Sequence, residues 1–312
     1  MKKILVTGGA GNVGGSLVEV LLKNRENYVV VVDNLITGSL SKIPFASFPN
    51  FKFIKADVNN YDEIAAIMLS FQFNYVFHYA ALVGVKRTLD NPIKVLDDIQ
   101  GIKNILNLSK NTGVNRVFYS SSSEVYGEPV EYPQNEHTTP LNSRLPYAIV
   151  KNVGEAFLKS FHKEYGMDYT IFRFFNTYGP RQSQDFVLSK FLKAAMNNED
   201  ITIYGDGSQT RTFCFIEDNL DVTVKSLENN HCINDVMNVG NDHETSVLEL
   251  ASKIIEITNS KSKIIHLPPL QEGDMTRRMP DTSKMKKILG RELTSLESGI
   301  TRIVNEWKNY ID

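Results

Sequence analysis

The sequence predicts an α/β protein built on a parallel, doubly wound sheet, and three observations predict it. Apolar, β-branched runs recur, segments of helical spacing separate them, and a glycine-rich loop joins the first run to the first helix. The runs are KILVT (3–7), YVVVVD (28–33), FKFIKAD (51–57), YVFHYA (75–80), RVFYS (116–120) and YTIFRFF (169–175). Their apolar character is continuous rather than alternating, as a strand buried on both faces requires. Segments 14–25, 61–71, 92–112 and 147–165 carry helical spacing and supply the crossovers. After residue 175 the alternation breaks, and NTYGPRQSQ, YGDGSQTR and LPPLQEGD are polar and loop-rich. The expected division is a main domain over 1–175 and a smaller α/β region over 176–312, with one strand near 236–239 returning to the main sheet.

Composition sets the outer bounds. The chain has 312 residues, 42% hydrophobic and 22% charged, with a net charge of -2. That is enough chain for a substantial core. A balance so near neutral gives no basic face for a nucleic acid or a membrane surface. No apolar run approaches the roughly 18 residues of a membrane span. The start, MKKILVTGG, opens on a basic pair and a short strand, without the long apolar core of a secretory signal. Cys214 and Cys232 are too few for a disulfide framework and read as buried thiols of a reducing compartment. A cytoplasmic protein is expected. His137, His162, His231, His243 and His266 show no metal-ligand spacing, and no metal is expected.

The glycine loop carries the first chemistry. In VTGGAGNVGGSL, Gly8, Gly11 and Gly14 follow a strand and open a helix. Glycine permits the tight turn and lets backbone amides approach a pyrophosphate at the helix N-terminus, as in Rossmann-type dinucleotide folds. Asp33 closes the second strand, where a carboxylate binds both hydroxyls of an adenosine ribose and repels a 2′-phosphate. The expected cofactor is therefore NAD rather than NADP. Asp57, after the third strand, is placed to reach the adenine.

A second pair gains meaning beside a dinucleotide. PYAIVKN puts Tyr147 and Lys151 four apart on a predicted helix, hence on one face. A tyrosine ordinarily titrates near 10, so a base near neutrality needs a drop of about three units, about 4 kcal/mol. One cation at about 4 Å supplies on the order of that at an effective dielectric near 20. Lys151 and an oxidised nicotinamide are two such cations. The stretch RVFYSSSSEVYG ends the fifth strand in four serines, on the sheet edge where open α/β folds bind ligands. A hydroxyl there can bond the substrate oxygen that Tyr147 deprotonates; the bland alternative is a serine-rich turn.

Together TGGAGNVG, HYAA (78–81), SSSSEVYG, PYAIVK, RFFNTYGPRQ, YGDGSQTRTF and EGDMTRRMPDTSK resemble the extended short-chain dehydrogenase/reductases, and among them the nucleotide-sugar epimerase/dehydratase family. The resemblance spans nearly the whole chain. It implies a nucleotide-sugar substrate, Ser122 as catalytic serine, Tyr147 as acid/base and Lys151 as its partner on the nicotinamide ribose. The implied cofactor set adds Asn12, Val13, Asn34, Val58, Ala80 and Ala81 to the glycines, Asp33 and Asp57. Ser123 and Arg181 are expected at the substrate. Asn176, Arg211 and one of Arg277 and Arg278 are expected at its diphosphate, which a guanidinium fork suits. Helices 92–112 and 147–165 resemble the pair that forms a four-helix homodimer interface. Asp98 is a departure, since relatives usually carry asparagine there.

The reaction subclass turns on Glu124. Relatives share a first step, hydride transfer from sugar carbon 4 to NAD, and then diverge. An epimerase returns the hydride to the other face, a 4,6-dehydratase expels the 6-hydroxyl, and a UDP-glucuronate decarboxylase loses carbon dioxide. The Ser-x-Glu pattern ending at Glu124 resembles dehydratases and decarboxylases, whereas many 4-epimerases carry a small residue there. YGDGSQTRTF resembles the decarboxylases, but their sequence around the catalytic tyrosine is missing from LPYAIVKN. The first-ranked expectation is a UDP-sugar 4-epimerase; dehydratase, decarboxylase and a non-catalytic NAD-binding sensor are the alternatives.

Overall fold

A computed structural model describes residues 1–43, 48–128, 130–268 and 277–308 of the chain. In chain order the elements begin β1 (Lys2–Thr7), α1 (Asn12–Lys23), β2 (Asn27–Asp33), β3 (Phe51–Lys55), α2 (Tyr61–Phe71) and β4 (Tyr75–His78). Next come α3 (Val85–Asp90), α4 (Pro92–Thr112), β5 (Arg116–Ser122), α5 (Pro146–Tyr165), β6 (Asp168–Phe174) and β7 (Thr177–Tyr178). Then follow α6 (Val187–Met196), β8 (Ile201–Tyr204), β9 (Thr210–Thr212), β10 (Cys214–Phe215), α7 (Ile216–Glu228) and β11 (Asp235–Val239). The chain closes with β12 (Glu244–Ser246), α8 (Val247–Thr258), β13 (Ile264–Leu267), α9 (Ser283–Leu289) and α10 (Leu296–Lys308).

Two compact units share this chain. The first comprises Met1–Val125, Ser143–Phe174 and Leu220–Met237, and the second Tyr126–Asn142, Phe175–Asn219 and Asn238–Asp312. The main sheet runs β11-β6-β5-β4-β1-β2-β3. Its strands from β3 to β6 pair in parallel, with helices as crossovers, which is the Rossmann-type doubly wound arrangement. Val29, Val30, Val31 and Val32 are wholly buried, as a continuous apolar run in a sheet covered on both faces should be. Phe118 of β5 stacks on Phe77 of β4 at 4.3 Å and on Phe172 of β6 at 6.2 Å between ring centroids. The long helices α4 and α5 each open on proline, where the missing N–H costs nothing. Each stops at a left-handed glycine, Gly113 or Gly166, whose N–H bonds back to Ser109 or His162.

Strand β4 stops at His78, short of the expected 75–80, because another group takes the next amides. Thr7 Oγ1 at the end of β1 accepts from the N–H of both Tyr79 and Ala80 at 3.2 Å. The second unit is built from small pairs: β7 with β10, β8 with β13, and β9 antiparallel to β12. Asn238 ties its first segment down: its Oδ1 accepts from the Tyr126 hydroxyl at 2.7 Å, and its Nδ2 donates to the Gln134 carbonyl at 2.8 Å. No described helix is long and apolar enough to cross a membrane.

Candidate active site

The glycine loop is fixed by contacts that leave no room for side chains. Gly8 has φ +70, and a Cβ on it would stand 2.6 Å from the Ala80 amide nitrogen; on Gly14 it would stand 2.4 Å from the Gly8 carbonyl oxygen. Gly11 caps α1 without any side-chain bond, so the amides of Asn12, Val13 and Gly14 point out of the first turn. Asp33, at the end of β2, is held by two of these neighbours. Its Oδ2 accepts from the Ala10 N–H at 2.9 Å and its Oδ1 from the Leu35 N–H at 2.8 Å. Each carboxylate oxygen keeps a lone pair for a ribose hydroxyl. Asn34 donates to Asp57 at 3.1 Å, joining the ends of β2 and β3, while Val58 is buried behind them. A glycine cradle, an uncapped helix start and an anchored carboxylate fit an adenine dinucleotide without rearrangement. Ala80 and Ala81 continue from β4 as half-buried backbone, and the Asn12 side-chain oxygen is buried without a hydrogen-bond partner.

The four serines at the end of β5 have four different fates. Ser120 Oγ donates to the His78 carbonyl at 3.4 Å and accepts from the Lys151 ammonium at 3.5 Å. Ser121 donates to Glu155 at 2.6 Å. That carboxylate is gripped at both oxygens by Arg173, at 2.9 and 2.7 Å, with both side chains only 1% exposed. Ser122 accepts the Glu124 N–H at 3.2 Å, closing the short 3-10 turn that follows β5. Ser123 is buried. The run is therefore a set of anchors, and Ser122 alone ends the strand with its hydroxyl proton uncommitted to that turn bond.

Tyr147 and Lys151 occupy the first turns of α5. The Lys151 ammonium lies 5.7 Å from the centre of the Tyr147 ring and 5.0 Å from that of Tyr119. Burial lowers its pKa to about 8, with the Asp98 carboxylate pulling the other way. Tyr119 is buried with no hydrogen bond to its hydroxyl, and burial pushes that phenol well up. Half-buried Glu124 stands in the turn after Ser122.

The expected diphosphate residues all belong to the second unit. Asn176 adopts φ +38, an uncommon backbone for a residue with a Cβ, and its amide donates to the Thr212 carbonyl at 3.0 Å. Arg211 donates to the Thr210 carbonyl at 2.7 Å. Arg277 forks onto Glu244 at 2.7 and 2.6 Å and lies over the Tyr132 ring, whereas Arg278 is buried and Arg181 half-buried. The two arginines whose register the sequence left ambiguous thus differ in their surroundings. It also adds residues that sequence reading did not single out. Thr7 positions the Ala80 backbone, and Glu155 with Arg173 fixes Ser121. Both effects depend on strand neighbours, Thr7 on His78 and Arg173 on Ser121, that only the sheet register pairs. Among the described residues no cluster of three metal-ligating side chains occurs.

A family model described as "NAD dependent epimerase/dehydratase family" matches residues 4–240. UDP-glucuronic acid decarboxylase 1 of Arabidopsis thaliana is 35% identical over 318 residues, covering 99% of this chain and 70% of that protein. The crystal structure of a UDP-glucose 4-epimerase from Thermotoga maritima, with UDP-glucose, superposes with a TM-score of 0.92 at 31% identity, covering 99% and 100% of the two chains. A UDP-glucuronic acid 4-epimerase from Bacillus cereus, in complex with UDP-glucuronic acid and NAD, gives a TM-score of 0.89 at 29% identity, covering 99% of each chain.

Proposed function

Because the chain belongs to the NAD-dependent epimerase/dehydratase family, we propose that it is a nucleotide-sugar 4-epimerase, acting on a UDP-sugar through a transient 4-keto sugar. One observation carries the reading. A lysine only 3% exposed stands one helical turn from Tyr147, with its ammonium 3.5 Å from a serine hydroxyl of β5. Ser122, whose oxygen already accepts the Glu124 amide, donates its proton to the oxygen on sugar carbon 4. Tyr147 removes the proton of that hydroxyl, and the Lys151 ammonium stabilises the phenolate. Bound NAD supplies a reversible hydride acceptor. The amides of Asn12 to Gly14 hold its pyrophosphate, and Asp33 its ribose. Asn176, Arg211 and Arg278 hold the sugar's diphosphate, and Arg181 and Ser123 contact the substrate. Whole-length likeness to two 4-epimerases supports the subclass.

A UDP-glucuronate decarboxylase is the second reading, favoured by 35% identity to the Arabidopsis enzyme and by Glu124 beside Ser122. A 4,6-dehydratase would use the same carboxylate. A non-catalytic sensor has no need of Ser122, Tyr147 and Lys151 together. NMR of products from UDP-glucose, UDP-N-acetylglucosamine and UDP-glucuronate, with wild type and Glu124→Gln, separates them. An epimer at carbon 4 that survives Glu124→Gln supports the proposal. A pentose or a 6-deoxy-4-keto product that the mutation abolishes would replace it. The reading includes a cytoplasmic homodimer: α4 and α5 pack together, and around them Leu89, Ile93, Leu96 and Ile149 are exposed apolar side chains. Light scattering at micromolar concentration tests the dimer, a monomeric mass being the contrary result.

A further inference from the structure

We propose that Asp98 is the counter-charge of Lys151, a positioning residue that keeps the ammonium beside Tyr147 protonated under turnover conditions. The proposal rests on the role given to Tyr147 above, though not on any particular sugar.

An ammonium has three donors, and Lys151 is all but buried. Among the described residues its one hydrogen-bond partner is the neutral Ser120 hydroxyl, at the long distance of 3.5 Å. The faces of Tyr119 and Tyr147 complete its surroundings. A buried ammonium with no anion sheds its proton, because desolvation penalises the charged form. The neutral amine that remained would do nothing for a phenolate. A carboxylate must therefore face Lys151 if the charge is to persist.

The groups around Lys151 leave one candidate. From α5 itself comes Glu155, which is committed to Arg173 and Ser121. From β4 comes His78, held neutral by burial with a pKa near 3, its Nδ1 bonded to Thr7 at 2.9 Å. From β5 comes the Tyr119 phenol, which burial also keeps neutral. Asp57, in the turn after β3, is bonded to Asn34 and acts on Asp98, whose charge it disfavours. Asp98, on α4, remains. Helix α4 packs along α5, and on it Asp98 Oδ2 accepts the Leu82 N–H at 2.7 Å, which anchors the carboxylate whose charge acts on Lys151. Burial raises the Asp98 pKa, the Leu82 N–H and the Lys151 charge oppose that rise, and the Asp98 charge in turn opposes the lowering that burial imposes on Lys151. An asparagine at 98 could accept the same Leu82 bond; what aspartate adds is the negative charge.

Carbon-13 NMR of the lysine Cε resonances tests this on the intact enzyme with its cofactor, with Lys151 assigned through Lys151→Arg. Asp98→Asn should lower the Lys151 midpoint by about 1 pH unit or more, the effect expected on losing a nearby opposite charge. Asp98→Glu should restore most of it, and the alkaline limb of kcat should move down with the midpoint. An unchanged Lys151 midpoint in folded, NAD-binding Asp98→Asn would overturn the pairing. A lowered midpoint in a protein that converts no UDP-sugar would support the pairing and count against the proposed function instead.

Discussion

Two arginine forks, one in each unit, have nearly the same geometry and very different surroundings. Arg173 grips Glu155 at 2.9 and 2.7 Å, and Arg277 grips Glu244 at 2.7 and 2.6 Å. The first pair is 1% exposed at both side chains, the second 42% and 21%. In water a guanidinium can exchange one anion for another at little cost; in a dry interior it cannot. The buried fork is therefore a permanent brace that sets Ser121, β5 and α5, and with them the register of Tyr147 and Lys151. The exposed fork costs little to open.

The difference is sharpest in stability. Glu155→Ala strands a buried guanidinium and should cost about 3–5 kcal/mol in denaturant unfolding. A loss below about 1 kcal/mol would erase the contrast. Acid should separate the forks' surroundings next. His78, in the first unit, stays neutral when folded, with a pKa near 3 against an ordinary 6.5. The unfolded chain binds its proton first, so stability is full above about pH 6.5 and is lost as pH falls toward 3. Glu244 is held below its ordinary 4.5 by Arg277, so its smaller contribution is lost only below that pH. Amide exchange followed from pH 7 to pH 4 should show weakening in the first unit's sheet before any effect of Glu244; the opposite order would count against the His78 account. Smallest of all, Arg277→Ala should leave the denaturant midpoint nearly unchanged. A midpoint lowered as far as by Glu155→Ala would show that this fork too is a fixed brace.

The same contrast explains what could be read from the chain alone. The strands of the Rossmann-type sheet were legible because continuous apolar runs such as Val29–Val32 announce burial on both faces, and the glycine loop because its spacing is local. Tyr147 and Lys151 share a helix face at fixed spacing, so their adjacency was legible too. The four serines looked alike because their partners, Glu155, His78 and the Glu124 amide, become distinct only once strand and helix have packed. Arg277 and Arg278 could not be told apart for a similar reason. Glu244, which takes one of them, lies in β12, brought beside Thr210 by an antiparallel pairing that no local pattern reveals. Asp98 appears in the sequence as an oddity, and its electrostatic link to Lys151 depends on the packing of α4 on α5.

The central claim is that Tyr147, charged up by Lys151, lets a sugar alcohol be oxidised reversibly in this chain. Single-turnover mixing of the NAD-loaded enzyme with UDP-glucose or UDP-glucuronate, followed by nicotinamide absorbance and product NMR, tests it most directly. Wild type should show a transient rise in reduced nicotinamide and a product altered at carbon 4, and Tyr147→Phe should slow both by about 10²–10⁴-fold. Undiminished turnover in Tyr147→Phe, with the cofactor still bound, would contradict the account.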